Sequence, residues 1–361
     1  MIRRLACVSW ATIVLALVAV SLPAQEASHE ALRGQLGTMV DEARAAAGIP
    51  GLGAAVRTRD GTILDVGRGI ADLENDVPVT ERTVFRLASI SKPITAVIAL
   101  RLMERGVLDL DRNVSELVPR FPAREQAVTT RQLLAHLGGI RHYRGGEIAS
   151  NRHYSSVADA LAIFADDPLV ADPGVRHHYS TYGYTPAGAA MVAAAGKEFG
   201  ELLRSEIVEP AGCATLVVDD ALRIVRHRAQ GYVKRDGALG NAIPVDVTNK
   251  VPGGGLCGTP SDLVRFAGGL LDGVLLRSET LESAWTAQTT RDGAGTGYGL
   301  GFRVDELDGH RIVSHGGAQP KVSTMLWIDR DDRTVVALMA NLEDAGRPLR
   351  ELVIRLSAAL R

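Results

Sequence analysis

Hairpin signals near both ends of the chain, with a long helix-patterned stretch between them, constrain the fold more than any other feature. Near the start, strand-like runs at 53–57 and 62–66 flank Asp60-Gly61, a dipeptide suited to a tight hairpin turn. Near the end, runs at 299–304 and 311–314 flank Asp308-Gly309, and runs at 323–329 and 334–340 flank a charged turn. A sheet built from such hairpins needs apolar cover, and amphipathic segments at the two ends can supply it. In 31–48, Leu32, Leu36, Met39, Val40 and Ala43 share one helical face, which Gly48 and Pro50 terminate. In 348–360, Leu349, Leu352, Val353, Leu356 and Leu360 have the same spacing. Residues 85–245 read as mainly helical, with turns at Gly106, Gly138-Gly139 and Pro173-Gly174. The expectation is an α+β fold, with one antiparallel sheet drawn from both chain ends and flanked by the terminal helices. A single unit would span 25–361, with a sheet lobe at about 31–84 and 250–361 and a helical lobe at about 85–249.

Arg3 and Arg4 precede an apolar run at 10–22, followed by Pro23 and Ala24. This order of charge, apolar run and small residue predicts an export signal cleaved after Ala24, and hence a periplasmic or secreted protein. A retained anchor is the alternative, but the run is short of the roughly 20 apolar residues that span a bilayer. The 40 basic and 42 acidic residues give a net charge of −2, without the basic excess of a nucleic-acid binder. Cys7 would leave with the signal, while Cys213 and Cys257 either pair in an oxidising compartment or stay as buried thiols. No CxxC pair occurs, and the adjacent His177-His178 reads as a loop rather than a metal pair, so no metal or organic cofactor is expected.

The chemistry centres on Ser89. Lysine occurs only at 92, 197, 234, 250 and 321, so a lysine in a motif carries weight. Ser89 and Lys92 open a long apolar helix running to about Arg105, and their spacing places them on one face. A serine hydroxyl needs a neighbouring base, and a lysine whose pKa is lowered by burial can serve. Alone, the pair reads as an N-cap serine beside a surface lysine. Ser91 has Ile94 at the corresponding position and therefore no base. Two further segments extend the pattern: Tyr179-Ser180-Thr181 before a helical run at 185–195, and His315-Gly316-Gly317-Ala318 before the strand near Ser323. Singly, Tyr179 reads as a half-buried tyrosine and His315 as a strand-end histidine. In this order, S-x-x-K, Y-x-N and K-T-G-like segments form the site of penicillin-recognising serine enzymes. The glycines would let substrate backbone approach, and the N–H groups of Ser89 and Ala318 would form an oxyanion hole. Gly253-Gly254-Gly255 lacks a following G-K-[ST], so it is expected to pass close to the site rather than to bind phosphate. His136 and His142 read as structural.

The chain resembles the class C beta-lactamase and DD-peptidase family of serine hydrolases, and within it the mitochondrial serine beta-lactamase-like subgroup and its bacterial relatives. Gly48-Ile49-Pro50-Gly51, Gly69-Ile70-Ala71-Asp72-Leu73-Glu74, Leu133 to Tyr143, Pro244-Val245-Asp246 and Gly253 to Asp262 share the likeness, which covers roughly 31–345. The resemblance implies a beta-lactamase/transpeptidase-like fold, Ser89 as the acylated nucleophile, Lys92 as its partner, Tyr179 as general base and His315 as the third-motif residue. Gly317 and Ala318 would line the oxyanion and substrate site together with Thr181. Two departures stand out. Thr181 replaces the usual second-motif Asn, as in the mitochondrial subgroup, and His315 replaces a Lys suited to a substrate carboxylate. Both weaken the case for an efficient beta-lactamase. The resemblance leaves open a D,D-carboxypeptidase, a class C beta-lactamase and an esterase or amidase acting on a small molecule or peptide. A silent peptide-binding or self-assembling scaffold is the alternative of another class, because the mitochondrial proteins form filaments.

Overall fold

In the computed structural model, backbone conformation is described from Ala11 to Arg361 and side chains from Glu26 onward. Arg3, Arg4, Cys7 and Trp10 of the expected export signal, and the side chains around its cleavage point, lie outside the described residues. Five longer helices are α1 (Ala11–Ala47), α2 (Ser91–Glu104), α3 (Tyr184–Ala195), α4 (Pro260–Leu271) and α5 (Gly346–Ala359). The principal strands are β1 (Gly51–Arg57), β2 (Ile63–Asp72), β3 (Val77–Pro78), β4 (Arg303–Leu307), β5 (His310–Gln319), β6 (Val322–Asp329) and β7 (Thr334–Ala340). They form one seven-stranded sheet in the order β3-β2-β1-β7-β6-β5-β4, and every pair is antiparallel.

The expected hairpins form where the turn chemistry demands them. Asp308 and Gly309 both take positive φ, 53° and 80°, as a two-residue turn between twisted strands requires. At the first hairpin the Thr58 N–H donates to Thr62 O at 2.9 Å, closing the turn around Gly61. The two chain ends meet at β1 and β7, where Ala55 faces Ala337 and Val56 faces Val336. Successive side chains alternate between faces. Val336, Leu338 and Ala340 join Leu36 and Val40 of α1 and Leu349, Leu352, Val353 and Leu356 of α5 in one buried cluster. Val335, Ala337 and Met339 join the other, with Leu263, Val264, Phe266, Ala267 and Leu270 of α4. The sheet is thus a central layer covered on both faces. Among the described residues no helix is long and apolar enough to cross a membrane.

The middle of the chain is less helical than its pattern suggested. Only α2 and α3 are long helices there, and extended pieces intervene. Phe85–Arg86 and Val217–Val218 both pair with Leu256–Gly258, and Tyr232–Arg235 pairs with Ala238–Asn241. That last hairpin turns at Asp236-Gly237, with φ of 51° and 79°. Its strands are mostly exposed and polar, so they lack the apolar alternation that would have announced them. It attaches to the sheet side of the molecule: the Tyr232 N–H donates to Asn341 O at 2.9 Å and Lys234 Nζ to Ala47 O at 2.7 Å. Cys213 and Cys257 are buried and unpaired, with burial pushing both thiols up to about 12.

Asn341 joins the chain ends. Its side-chain oxygen accepts from the Gly51 N–H at 2.7 Å and its amide donates to Ile70 O at 3.0 Å. Asn341→Ala leaves these buried groups without partners and should cost about 1–3 kcal/mol in urea denaturation. A change within experimental error would mean that the staple contributes nothing.

Candidate active site

Ser89 sits in a one-turn segment, Ala88–Ile90, that leads directly into α2. Several contacts hold this segment from below. The Leu87 N–H donates to Leu256 O at 2.8 Å, and Ser91 Oγ accepts the Leu256 N–H at 3.2 Å. Ser91 is therefore a structural residue of the helix start, as its lack of a base suggested. Ala88 takes φ 48°, a left-handed conformation that is costly for a residue with a Cβ and recurs at functional sites. α2 is apolar nearly all round, with Ile94 and the run Ala96 to Leu100 buried, so it runs through the core.

Lys92 is fully buried in that core. Its Nζ lies 3.0 Å from Ser89 Oγ, 3.1 Å from Thr181 Oγ1 and 2.7 Å from Gly253 O. No ion pair among the described residues involves it, and burial alone drives its pKa well below the ordinary 10.5. A neutral amine has two N–H donors and one lone pair. Gly253 O takes one donor, one hydroxyl takes the other, and the lone pair can receive the second hydroxyl's proton. The glycine at 253 is required, since a Cβ there would lie 2.6 Å from Thr181 O.

The second motif is carried by two histidines. His136 Nδ1 accepts the Ser180 N–H at 3.2 Å and His142 Nδ1 accepts the Thr181 N–H at 3.3 Å. Burial keeps both rings neutral, His142 down to about 4. The Tyr179 ring lies against His136, with centroids 4.3 Å apart, and 4.9 Å from Lys92 Nζ. Burial pushes the phenol up to about 12 against the opposing hydrogen bonds of Ser89 and Thr181. Tyr179 therefore holds its proton at neutral pH, and burial favours the neutral amine of Lys92 beside it.

The third motif forms the facing wall. β4 pairs with β5 only as far as Ser314, whereas β6 continues to Gln319. From His315 onward one edge of β5 has no strand neighbour among the described residues, and β5 packs on the Ser89 turn. A Cβ at Gly317 would fall 2.6 Å from Leu87 O and 2.1 Å from Thr324 Oγ1, so glycine permits the approach. His315 differs from its expected place. It is buried, its Nδ1 donates to Gly316 O at 2.7 Å and its Nε2 accepts from Tyr298 Oη at 2.9 Å. Burial pushes it down to about 3. With both nitrogens engaged and the ring off the cavity wall, it holds β5 in place and carries neither charge nor a free base.

A cavity of about 280 Å³ opens between these walls, lined by Ser89, Tyr179, Thr181, Gly317 and Ala318. His142, Tyr143 and Ile148 complete one side and Gln319 and Met325 the other. Lys250 was not singled out in the sequence, although its rarity and its place before the glycine run were available signals. It is fully buried, donates to Ile148 O at 2.8 Å, and is pushed down to about 7 by burial. It thereby anchors the loop that carries Ile148 into the cavity wall.

The site thus brings together a serine on a strained turn, a buried lysine beside it with no ion pair among the described residues, a tyrosine and a glycine-lined strand edge. The chain belongs to the Beta-lactamase family, whose model matches residues 36–359. The human mitochondrial serine beta-lactamase-like protein LACTB is 28% identical over 324 residues, 66% of this chain and 59% of its own. The chain thus spans about three-fifths of the length of that relative. Penicillin-binding protein 4* of Bacillus subtilis is 30% identical over 293 residues, covering 76% of this chain and 64% of its own. In fold, the D-amino acid amidase of Ochrobactrum anthropi SV3 superposes with a TM-score of 0.79 at 21% identity, over 91% of this chain and 99% of the amidase.

Gly317→Ala should leave the fold intact but displace the strand edge from Ser89, lowering acylation by about two orders of magnitude, as ångström-scale misplacement does. Unchanged acylation would show that the edge plays no part. The labelling rate of Ser89 by a fluorophosphonate should rise with pH as Lys92 deprotonates and level off below the ordinary lysine value of 10.5. A rate still climbing towards about 12 would make the Tyr179 phenolate the base instead.

Proposed function

We propose that the protein is an exported hydrolase that cleaves amide or ester bonds through an acyl-enzyme on Ser89. The observation that carries this reading is the 3.0 Å contact between Ser89 Oγ and the buried, unpaired Lys92 Nζ. Ser89 Oγ attacks the substrate carbonyl as its proton passes to the Lys92 lone pair. The developing oxyanion is held by the N–H groups of Ser89 and Ala318. Collapse breaks the bond to the amine or alcohol, which leaves with a proton supplied through Tyr179 and replenished from Lys92. A water then gives its proton to the same pair and attacks the ester carbonyl. Release of the acid restores the Ser89 hydroxyl. Export rests on the charged and apolar N-terminal pattern at 3–24.

The third motif bears on substrate. A lysine there would offer a fixed charge to a carboxylate, whereas the His315 ring is neutral and committed to Tyr298 and Gly316. This supports an uncharged acyl donor, a peptide-like amide or an ester, ahead of a penicillin. Ser89→Ala should abolish hydrolysis of a chromogenic ester with the fold retained, and Lys92→Ala should cost at least about two orders of magnitude. Turnover by Ser89→Ala equal to the parent would refute the acyl-enzyme. Penicillin turnover faster than that of the ester would reverse the substrate reading.

A further inference from the structure

A second cavity, of about 130 Å³, shares no lining residue with the first but adjoins it through the same two segments. Arg86 lines it three residues before Ser89, and Lys321 lines it two residues after Gln319. Arg228, on the loop following the Val217–Val218 strand, supplies a third cation. We propose that this cavity binds a small oxyanion, a phosphate, sulfate or carboxylate group, between Arg86, Arg228 and Lys321.

The charge balance is the first argument. Asp219, fully buried, is shared by both guanidiniums, 2.7 Å from Arg86 Nε and 2.9 Å from Arg228 Nη2. Lys321 Nζ makes no ion pair among the described residues. Glu343 accepts only its backbone N–H, at 3.1 Å. Three cations therefore line the cavity, and among the described residues Asp219 is the one carboxylate ion-paired with any of them. The second argument is unmet bonding. Arg86 Nη1 and Arg228 Nε are buried without hydrogen-bond partners, as are both oxygens of Asp219, which meets the guanidiniums only as an ion pair, while Arg86 Nη2 donates to Val245 O at 3.1 Å. Guanidinium forks match the oxygens of an oxyanion, and a buried donor without an acceptor is costly.

The third argument is construction. Lys321 is not a loose surface lysine. It takes φ 83°, and its Cβ sits where a side chain at Gly231 would begin, 2.1 Å from that Cβ position. A strained backbone and a glycine that makes room for it hold the ammonium at the cavity. Burial first, then Arg86 and Arg228, lower its pKa against the opposing charge of Asp219. An anion there would join the strand leading to Ser89, the Arg228 loop and the β5–β6 turn, so its occupancy would stiffen the nucleophile's support. The site does not depend on the proposed reaction.

The test is calorimetric titration of inorganic phosphate into the protein at fixed ionic strength. Phosphate should bind saturably, one per chain. Lys321→Gln and Arg228→Gln should each weaken it at least about tenfold, as loss of a charge-assisted contact does, with Lys321→Gln, which breaks no ion pair, melting near the parent in phosphate-free buffer and Arg228→Gln still folded at the titration temperature. Ser89→Ala should bind as the parent does. Parallel titrations with sulfate and acetate then rank tetrahedral oxyanions against carboxylates. Absence of saturable binding, or affinity unaffected by both charge variants, would overturn the proposal. Loss of binding in Ser89→Ala would place the anion in the active-site cavity and overturn it equally.

Discussion

A lysine ammonium with no counter-ion in an apolar core is unstable, and the architecture around Lys92 is consistent with a neutral amine. Burial disfavours the charged form, and the groups within reach of Nζ are two hydroxyls and a carbonyl. None of them stabilises a full positive charge as a carboxylate would. The same burial keeps His136, His142 and His315 neutral and Tyr179 protonated. Burial thus favours the uncharged form of each of these groups, and a neutral Lys92 would offer Ser89 a lone pair. This is the condition for activating a serine without a histidine–carboxylate pair.

The sheet provides the geometry that this chemistry needs. β1 to β3 come from one chain end and β4 to β7 from the other, and β5 of the second set supplies the wall that packs on the Ser89 turn. β5 serves as an interior strand through Ser314 and as a free edge beyond it. The change occurs where His315 and Tyr298 lock the backbone. Glycine at 253 and 317 lets the two walls close on Lys92 and on the Ser89 turn without a side chain intervening.

Much of this was legible from residue order. Asp308-Gly309 marked a turn in which both residues take positive φ, Gly61 alone does so in the Asp60-Gly61 turn, and the terminal helices showed their apolar stripes. Ser89, Tyr179, Thr181, Gly317 and Ala318 line one cavity, and Lys92 lies buried beside Ser89. What escaped depends on contacts between segments distant in sequence. The Tyr232–Asn241 hairpin is polar and exposed, so periodicity did not mark it. The roles of Lys250 and Tyr298 arise from burial against loops more than 100 residues away in one case and from a partner on β5 in the other. His315 was legible as a motif residue but not as a neutral one, because its environment is set by the sheet.

The central claim is that Lys92 is neutral at physiological pH. The chain has five lysines, so selective carbon-13 labelling at lysine Cε gives a spectrum simple enough to assign, with Lys92→Ala identifying the signal. Titration of that signal by NMR should show Lys92 already deprotonated at pH 7 to 8, well below its ordinary value of 10.5. A Lys92 signal that titrates near 10.5 would mean a charged ammonium beside Ser89, and the proposed activation of the serine would fail.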